Sequence, residues 1–181
     1  VDHPVQVKAL SEVFAKEEKP LQVLIDVDTG DGRTGVQPRQ PVLALARAIS
    51  QAPGIRLRGI YTHEGHSYGA QSVDQIKEIF HRSQEEMLAT AALLRKAGFS
   101  ITDISVGATP AILVADPLPG ITEIRPGTYV FLDAAQGNLL RSYDRCALSV
   151  LATVISRPTS ERVVLDAGVK ALTAFVRGSG V

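Results

Sequence analysis

Apolar positions along the chain fall into two rhythms that alternate. After Pro4, apolar residues at Val5, Val7, Leu10, Val13 and Phe14 are interleaved with Ser11, Glu12 and Lys16. That spacing predicts a short amphipathic helix through Ala15. EEKP is a charged turn, and LQVLIDVD (21–28) then runs apolar and β-branched, as a buried parallel strand does. TGDGRTG closes that strand with a glycine-rich loop. Pro38 and Pro41 open a second helix, which stops at Pro53-Gly54. IRLRGIYTHE is a second strand running into the loop GIYTHEGHSYGA (59–70).

The longest helical pattern follows. Ser72 is placed as an N-cap, and Val73, Ile76, Phe80, Met87, Leu88, Ala91 and Leu94 form one apolar stripe over 73–96, closed by Gly98. Phe99 to Val106 reads as a third strand, and in GATP the pair Thr109-Pro110 opens a short helix. Ile121 to Asp133 reads as a fourth strand with a Pro-Gly break. Alternating strands and helices predict an α/β fold with a parallel sheet and right-handed crossovers. After Asp133 the rhythm changes. RCALSVLATVIS and ERVVLDAGV are strand-like runs joined by the polar turn RPTS, the pattern of an antiparallel pair. We therefore expect one domain over 1–139 and a second over 140–181.

Composition narrows the partners. Lys plus Arg and Asp plus Glu are 19 each, for zero net charge. A nucleic-acid or anionic-membrane partner would require a cationic excess on one face, so neither is expected. No apolar run approaches the roughly 18 residues that span a bilayer, and no signal peptide is evident. Cys146 is the single cysteine, so no internal disulfide forms and a cytoplasmic setting is expected. Residue 1 is Val, the one methionine is Met87, and VRGSGV ends the chain without a closing element. We expect a segment of a longer protein.

The chemistry-bearing residues collect where strands end, which in parallel α/β folds is where ligands bind. The first strand ends at Asp28, Thr29 and a loop holding Arg33. The second ends at Tyr61, Thr62 and His63, the third at Ser105, Gly107 and Thr109, and the fourth carries Arg125 and Gly127. GATP and RPGT are Gly-Thr turns that suit a phosphate, because backbone N–H groups converge on the anion. Two arginines and an imidazole around one mouth suit a planar, phosphate-bearing ligand. Taken singly, each has a plainer reading. GRTG is a turn, His63 a hydrogen-bonded structural histidine, and Arg125 an ion-pair partner of Glu123. His63-Glu64-Gly65-His66 lacks the i, i+4 spacing of a helical zinc motif, and no second His/Cys cluster supports it. Cys146 reads as a small buried hydrophobe and His81 as a solvated helix residue.

DVDTGDGRTGV, GIYTHEGHSYG, SVGATP, TEIRPGTYVFLD and VVLDAGVKAL occur in this order. Together they resemble the D-threonine aldolase and D-serine dehydratase group, pyridoxal-phosphate enzymes of the alanine-racemase-like class. The form YTHEGHSYG is more similar to the D-serine dehydratase-like branch. The resemblance implies the later strands of a (β/α)8 TIM-type barrel followed by the start of an antiparallel β-domain. It implies a role for each matching residue. Arg33 lies near the cofactor's hydroxyl side and His63 packs against the pyridine ring. Gly107, Ala108 and Thr109 cradle the phosphate, with Gly127 and Thr128 as a second clamp. Arg125 matches the position that meets the pyridine nitrogen, and Tyr61 is the alternative partner for that nitrogen.

The resemblance also implies groups outside this chain. The Schiff-base lysine of the family lies on the first barrel strand, upstream. Lys8, Lys16, Lys19, Lys77 and Lys96 end no strand, and Lys170 belongs to the β-domain motif. The family's metal ligands, a His and a Cys or Asp, lie beyond Val181, for a divalent zinc or manganese ion. No metal ligand is assigned in this chain, and the chain alone is expected to be inactive. The implied activity of the complete protein is dehydration of D-serine or retro-aldol cleavage of D-threonine-like β-hydroxy amino acids, in a homodimer. The alternatives are an amino-acid racemase of the alanine-racemase type and a non-catalytic pyridoxal-phosphate-binding protein.

Overall fold

The computed structural model describes residues 1–172. Its elements are α1 (Pro4–Phe14), β1 (Leu21–Asp26), α2 (Gln40–Gln51), β2 (Ile55–Tyr61), α3 (Val73–Lys96), β3 (Asp103–Val106), α4 (Thr109–Val114), β4 (Glu123–Ile124), α5 (Ala134–Leu140), β5 (Val154–Thr159) and β6 (Arg162–Leu165). The sheet β1–β4 is parallel, and its strand order follows the chain, β1-β2-β3-β4. Each strand pairs with the one before it and the order never reverses. That is the walk of a barrel wall, whereas a doubly wound sheet changes direction at a switch point. The structure is a partial TIM-type barrel, with β5 and β6 forming a separate antiparallel pair.

Local chemistry sets the helix starts. His3 caps α1, accepting from Val5 N–H at 3.2 Å, while the Gln6 side chain reaches back to the N–H groups of Asp2 and His3. Ser72 caps α3 by accepting from Gln75 N–H at 3.1 Å. The predicted apolar stripe of α3 is its buried face. Ile76, Phe80, Met87, Ala91 and Leu94 are all without exposure. They pack with Val42, Leu45, Ala46 and Ile49 of α2 against Ile25, Ile60 and Ile104 of the sheet. No helix among the described residues is long and apolar enough to cross a membrane.

Period-two alternation then decides the other sheet face. Ile25 and Ile60 are register partners, as are Ile60 and Ile104. One residue on, the register aligns Asp26 with Tyr61, Tyr61 with Ser105, and Ser105 with Glu123. A row of isoleucines on the helix side thus lies beside a row of polar residues on the opposite side.

The second half departs from expectation. Ile121 to Asp133 is not one strand. Only Glu123–Ile124 joins the sheet, with Arg125 N–H adding a bond to Val106 C=O at 2.9 Å. Pro126 has no N–H to continue the ladder, and the chain turns through a 3₁₀ segment at Thr128–Val130. Asp133 then caps α5, accepting from Gln136 N–H at 3.0 Å, a helix that the sequence pattern did not announce. The third strand is shorter than predicted, starting at Asp103 rather than Phe99. RCALSVLATVIS becomes strand only from Val154, and β5 runs through the expected RPTS turn to Thr159, so the reversal falls at Ser160-Glu161. Pro158 sits between two register pairs, Ser156 with Val164 and Thr159 with Arg162, where a missing N–H breaks no pairing. VRGSGV lies outside the described residues.

Candidate active site

The loops that leave β1, β2, β3 and β4 meet at one end of the sheet, and Arg125 ties them together. Its Nε donates to Ser105 Oγ at 2.7 Å, and Nη2 donates to the Thr62 carbonyl. Its guanidinium carbon lies 4.8 Å from the centre of the Tyr61 ring, a cation–π distance. Ser105 Oγ in turn donates to Glu123 Oε1, which lies 3.8 Å from Arg125 Nε. Among the described residues Nη1 makes no hydrogen bond, so it is the nitrogen left for a ligand. Burial, then the nearby Asp26 carboxylate, push the Tyr61 hydroxyl up to about 12, so it stays protonated. Tyr61 is thereby committed to Asp26, its register partner, as well as to Arg125.

Gly107 is the second node. His63 Nδ1 lies 2.9 Å from the Gly107 carbonyl. A carbonyl only accepts, so Nδ1 carries the proton. Burial holds the His63 pKa below its ordinary value, against the Gly107 bond, which raises it. A neutral ring with its proton on Nδ1 leaves Nε2 as a bare acceptor. From the other side, Glu64 Oε2 accepts the Gly107 N–H at 3.0 Å. Gly107 has φ +144, and a Cβ there would lie 2.7 Å from Arg125 N. Only glycine fits between these neighbours.

The phosphate-like turns join as well. Thr109 is buried, and its Oγ1 accepts from Thr128 N–H at 3.1 Å. Gln136, from α5, donates to Thr128 Oγ1 at 3.3 Å. Ala108 caps α4 without a side-chain bond, and a Cβ on Gly127 would meet open space. Tyr61, His63, Gly107, Thr109, Arg125 and Thr128 are thus linked in one polar constellation, with Gly127 on its flank. Arg33 stands apart from the hydrogen bonds. It is exposed at the rim, 3.8 Å from Asp31, and reaches His63 only through its charge. Asp31 packs on the loop after β2, since a Cβ on Gly65 would lie 2.4 Å from its carboxylate.

Glu64 and Gln136 are the members that the sequence did not single out for this network. Glu64 follows His63 in the loop that leaves β2. It is fully buried, and burial pushes its carboxyl up to about 7. Ile60, Thr62 and Glu64 share one parity and are all without exposure, which is the signal that a period-two reading carried past the strand end would have given. None of Lys8, Lys16, Lys19, Lys77, Lys96 and Lys170 lies at the end of a strand of the parallel sheet. Among the described residues, no three His, Cys, Asp or Glu side chains cluster as metal ligands.

Residues 1–135 match the family described as alanine racemase, N-terminal domain. The chain belongs to this family. Within it, residues 147–178 also match the putative serine dehydratase domain, which places the chain in the D-threonine aldolase and D-serine dehydratase group of alanine-racemase-like proteins. It is 33% identical to D-threo-3-hydroxyaspartate dehydratase of Delftia sp. (strain HT23) over 96% of this chain and 46% of that protein. The solved structure of that dehydratase aligns with a TM-score of 0.82 over 97% of this chain and 47% of its own, and a variant of it has been solved in a metal-free form. D-threonine aldolase of Arthrobacter sp is 32% identical over 96% of this chain and 47% of its own length. D-serine dehydratase of Dictyostelium discoideum is 30% identical over 87% of this chain and 42% of its own length. The chain spans about half the length of the curated relatives it matches.

Proposed function

We propose that this chain is the cofactor-holding part of a pyridoxal-phosphate-dependent lyase. The complete protein would act on a D-β-hydroxy amino acid, by dehydration or by retro-aldol cleavage. The observation that carries this is the constellation around Gly107 and Arg125 at the strand ends, in a chain whose relatives are a dehydratase and an aldolase at 33% and 32% identity.

The donor set fits a planar aromatic phosphate ester. α4 begins without a side-chain cap; Pro110 has no N–H and the Ala111 N–H already bonds the Ala108 carbonyl at 3.1 Å, so the Thr109 N–H is the one its first turn leaves for an anion. Beside it, the open space at Gly127 lets an anion approach the backbone. Thr109 and Thr128 hold the two turns at a fixed separation. His63 supplies a neutral ring wall fixed in orientation by Gly107. A guanidinium is a permanent cation, so Arg125, as the partner of the ring nitrogen, would leave that nitrogen unprotonated. When bound, pyridoxal phosphate supplies an electron sink for negative charge developing at the substrate Cα. Around it, this chain binds the phosphate, sets the ring plane and fixes the charge at the nitrogen.

The remaining parts are proposed from the family resemblance. The anchoring lysine and the ligands of a divalent metal, zinc or manganese, belong to segments outside this chain. That metal would polarise the departing hydroxyl as a Lewis acid, offsetting the weaker sink that Arg125 imposes. A homodimer in the cytoplasm is the proposed assembly and setting, in keeping with the free thiol of Cys146.

Cofactor uptake tests the reading. Titrating the complete apoprotein with pyridoxal phosphate is expected to give saturable visible absorbance. Thr109→Val should weaken uptake by about tenfold, the worth of one hydrogen-bonded link between the turns. Absence of uptake by the wild type contradicts the reading.

A further inference from the structure

Glu64 stands out among the groups that the proposed chemistry leaves unused. It has no solvent exposure, yet only one of its oxygens is matched by another residue. Oε2 takes the Gly107 N–H at 3.0 Å, while Oε1 makes no hydrogen bond to another described residue, and Glu64's own backbone N–H is the one further donor acting on the carboxyl. Burying a carboxyl with an unmatched oxygen is unfavourable, so its presence calls for a reason.

The reason lies in what Gly107 does. Its carbonyl orients the His63 ring, and its φ of +144 leaves it no side chain with which to hold itself in place. Its two flanking peptide planes are held by three bonds: Glu64 takes the Gly107 N–H, the Val106 carbonyl of that same peptide takes the Arg125 N–H at 2.9 Å, and the Gly107 carbonyl takes His63. Two residues further on, Thr109 anchors Thr128. A rotation of the 106–107 peptide would disturb the imidazole and the phosphate turn together. We propose that Glu64 is a positioning residue of this site, setting the His63 ring and the 107–109 turn through the Gly107 peptide. The proposal rests on the pyridoxal-phosphate reading for its functional consequence, and on the hydrogen bonds alone for the orientation of His63.

The charged groups that act on Glu64 come from two other loops. Arg125, beyond β4, favours its ionised form and Asp31, after β1, disfavours it. Burial outweighs both and brings the proton exchange near neutrality. Ionised, Oε2 accepts a charge-assisted bond from Gly107, stronger than the bond to the neutral acid. The hold on Gly107 therefore tightens as pH rises through about 7.

The test uses the complete protein. The dissociation constant for pyridoxal phosphate is measured from about pH 6 to about pH 8, spanning this exchange, in the wild type, Glu64→Gln and Glu64→Ala. The ring-nitrogen signals of His63 are followed in parallel by ¹⁵N NMR. Glutamine keeps an acceptor for Gly107 but does not titrate. Wild-type affinity is expected to rise about fivefold more over that range than the affinity of Glu64→Gln. Glu64→Ala should bind about tenfold more weakly, and its His63 should lose the fixed Nδ1–H signature that Glu64→Gln retains. Equal pH slopes in wild type and Glu64→Gln, or an unchanged His63 signature in Glu64→Ala, would overturn the proposal. If the wild type binds no cofactor, the functional reading fails, and the His63 signals alone decide the role of Glu64.

Discussion

Gly107 and Glu64 define the site at the scale of single residues, and each carries a distinct prediction. At Gly107, alanine would put a Cβ 2.7 Å from the Arg125 backbone at a φ that side chains avoid. Gly107→Ala should cost about 2 kcal/mol or more in a denaturant titration, and it should weaken cofactor uptake because Arg125 is the neighbour displaced. At Glu64 the prediction is one of sign. Its carboxyl holds its proton up to about 7 in the folded protein and to an ordinary 4.5 when unfolded. Between those values the folded state binds more protons, so its stability falls as pH rises. About 3 kcal/mol present below the unfolded value is lost above the folded one. Burial lowers the pKa values of His63 and His66, which produces the opposite slope below 6.5. The difference between Glu64→Gln and wild type isolates the glutamate. The variant should gain on the wild type as pH rises from 4.5 to 7 and keep that lead above it, in thermal melts across the range. Little of this was visible in the sequence. His63, Arg125 and the Gly-Thr turns drew notice because their types and places are distinctive. The burial of Glu64 depends on how two distant loops meet, which no local pattern encodes.

At the scale of elements, α3 was the most legible part of the chain. A capping serine, a 24-residue apolar stripe and a closing glycine all agree, and the helix runs over the expected residues. Two substitutions separate its cap from its stripe. Ser72→Ala should cost about 1 kcal/mol, the usual worth of one cap bond. Phe80→Ala, fully buried between α3 and the sheet, should cost about 3–5 kcal/mol through the cavity it leaves. Comparable costs in a denaturant titration would mean that packing does not dominate this helix. The stretch after β3 was misread for the opposite reason. TEIRPGTYVFLD has strand-forming residues throughout, but strand formation requires a neighbour, and beyond Arg125 none is paired with it. Pro126 and the Asp133 cap then decide the local structure. The result places Thr128 against Thr109 and Gln136 against Thr128, so the misread segment is also the one that closes the phosphate-side turns.

For the whole molecule, the sequential order β1-β2-β3-β4 and the family match place this chain as part of a barrel wall. The polar row Asp26, Tyr61, Ser105 and Glu123 crosses the sheet on the side away from α2 and α3. The strand-end loops beyond it carry the constellation of Arg125, His63 and Gly107. This layout explains why zero net charge and a single cysteine said little about function. The chemistry depends on a few oriented groups rather than on bulk charge. The most direct test of the central claim is a product assay on the complete protein with pyridoxal phosphate and zinc or manganese. D-serine, D-threonine and D-threo-3-hydroxyaspartate are supplied alongside their L-enantiomers. Cofactor-dependent release of a 2-oxo acid with ammonia, or of glycine with an aldehyde, from the D-substrates only is the predicted result. Interconversion of enantiomers without cleavage or elimination, or no cofactor-dependent product from any D-substrate, would contradict it.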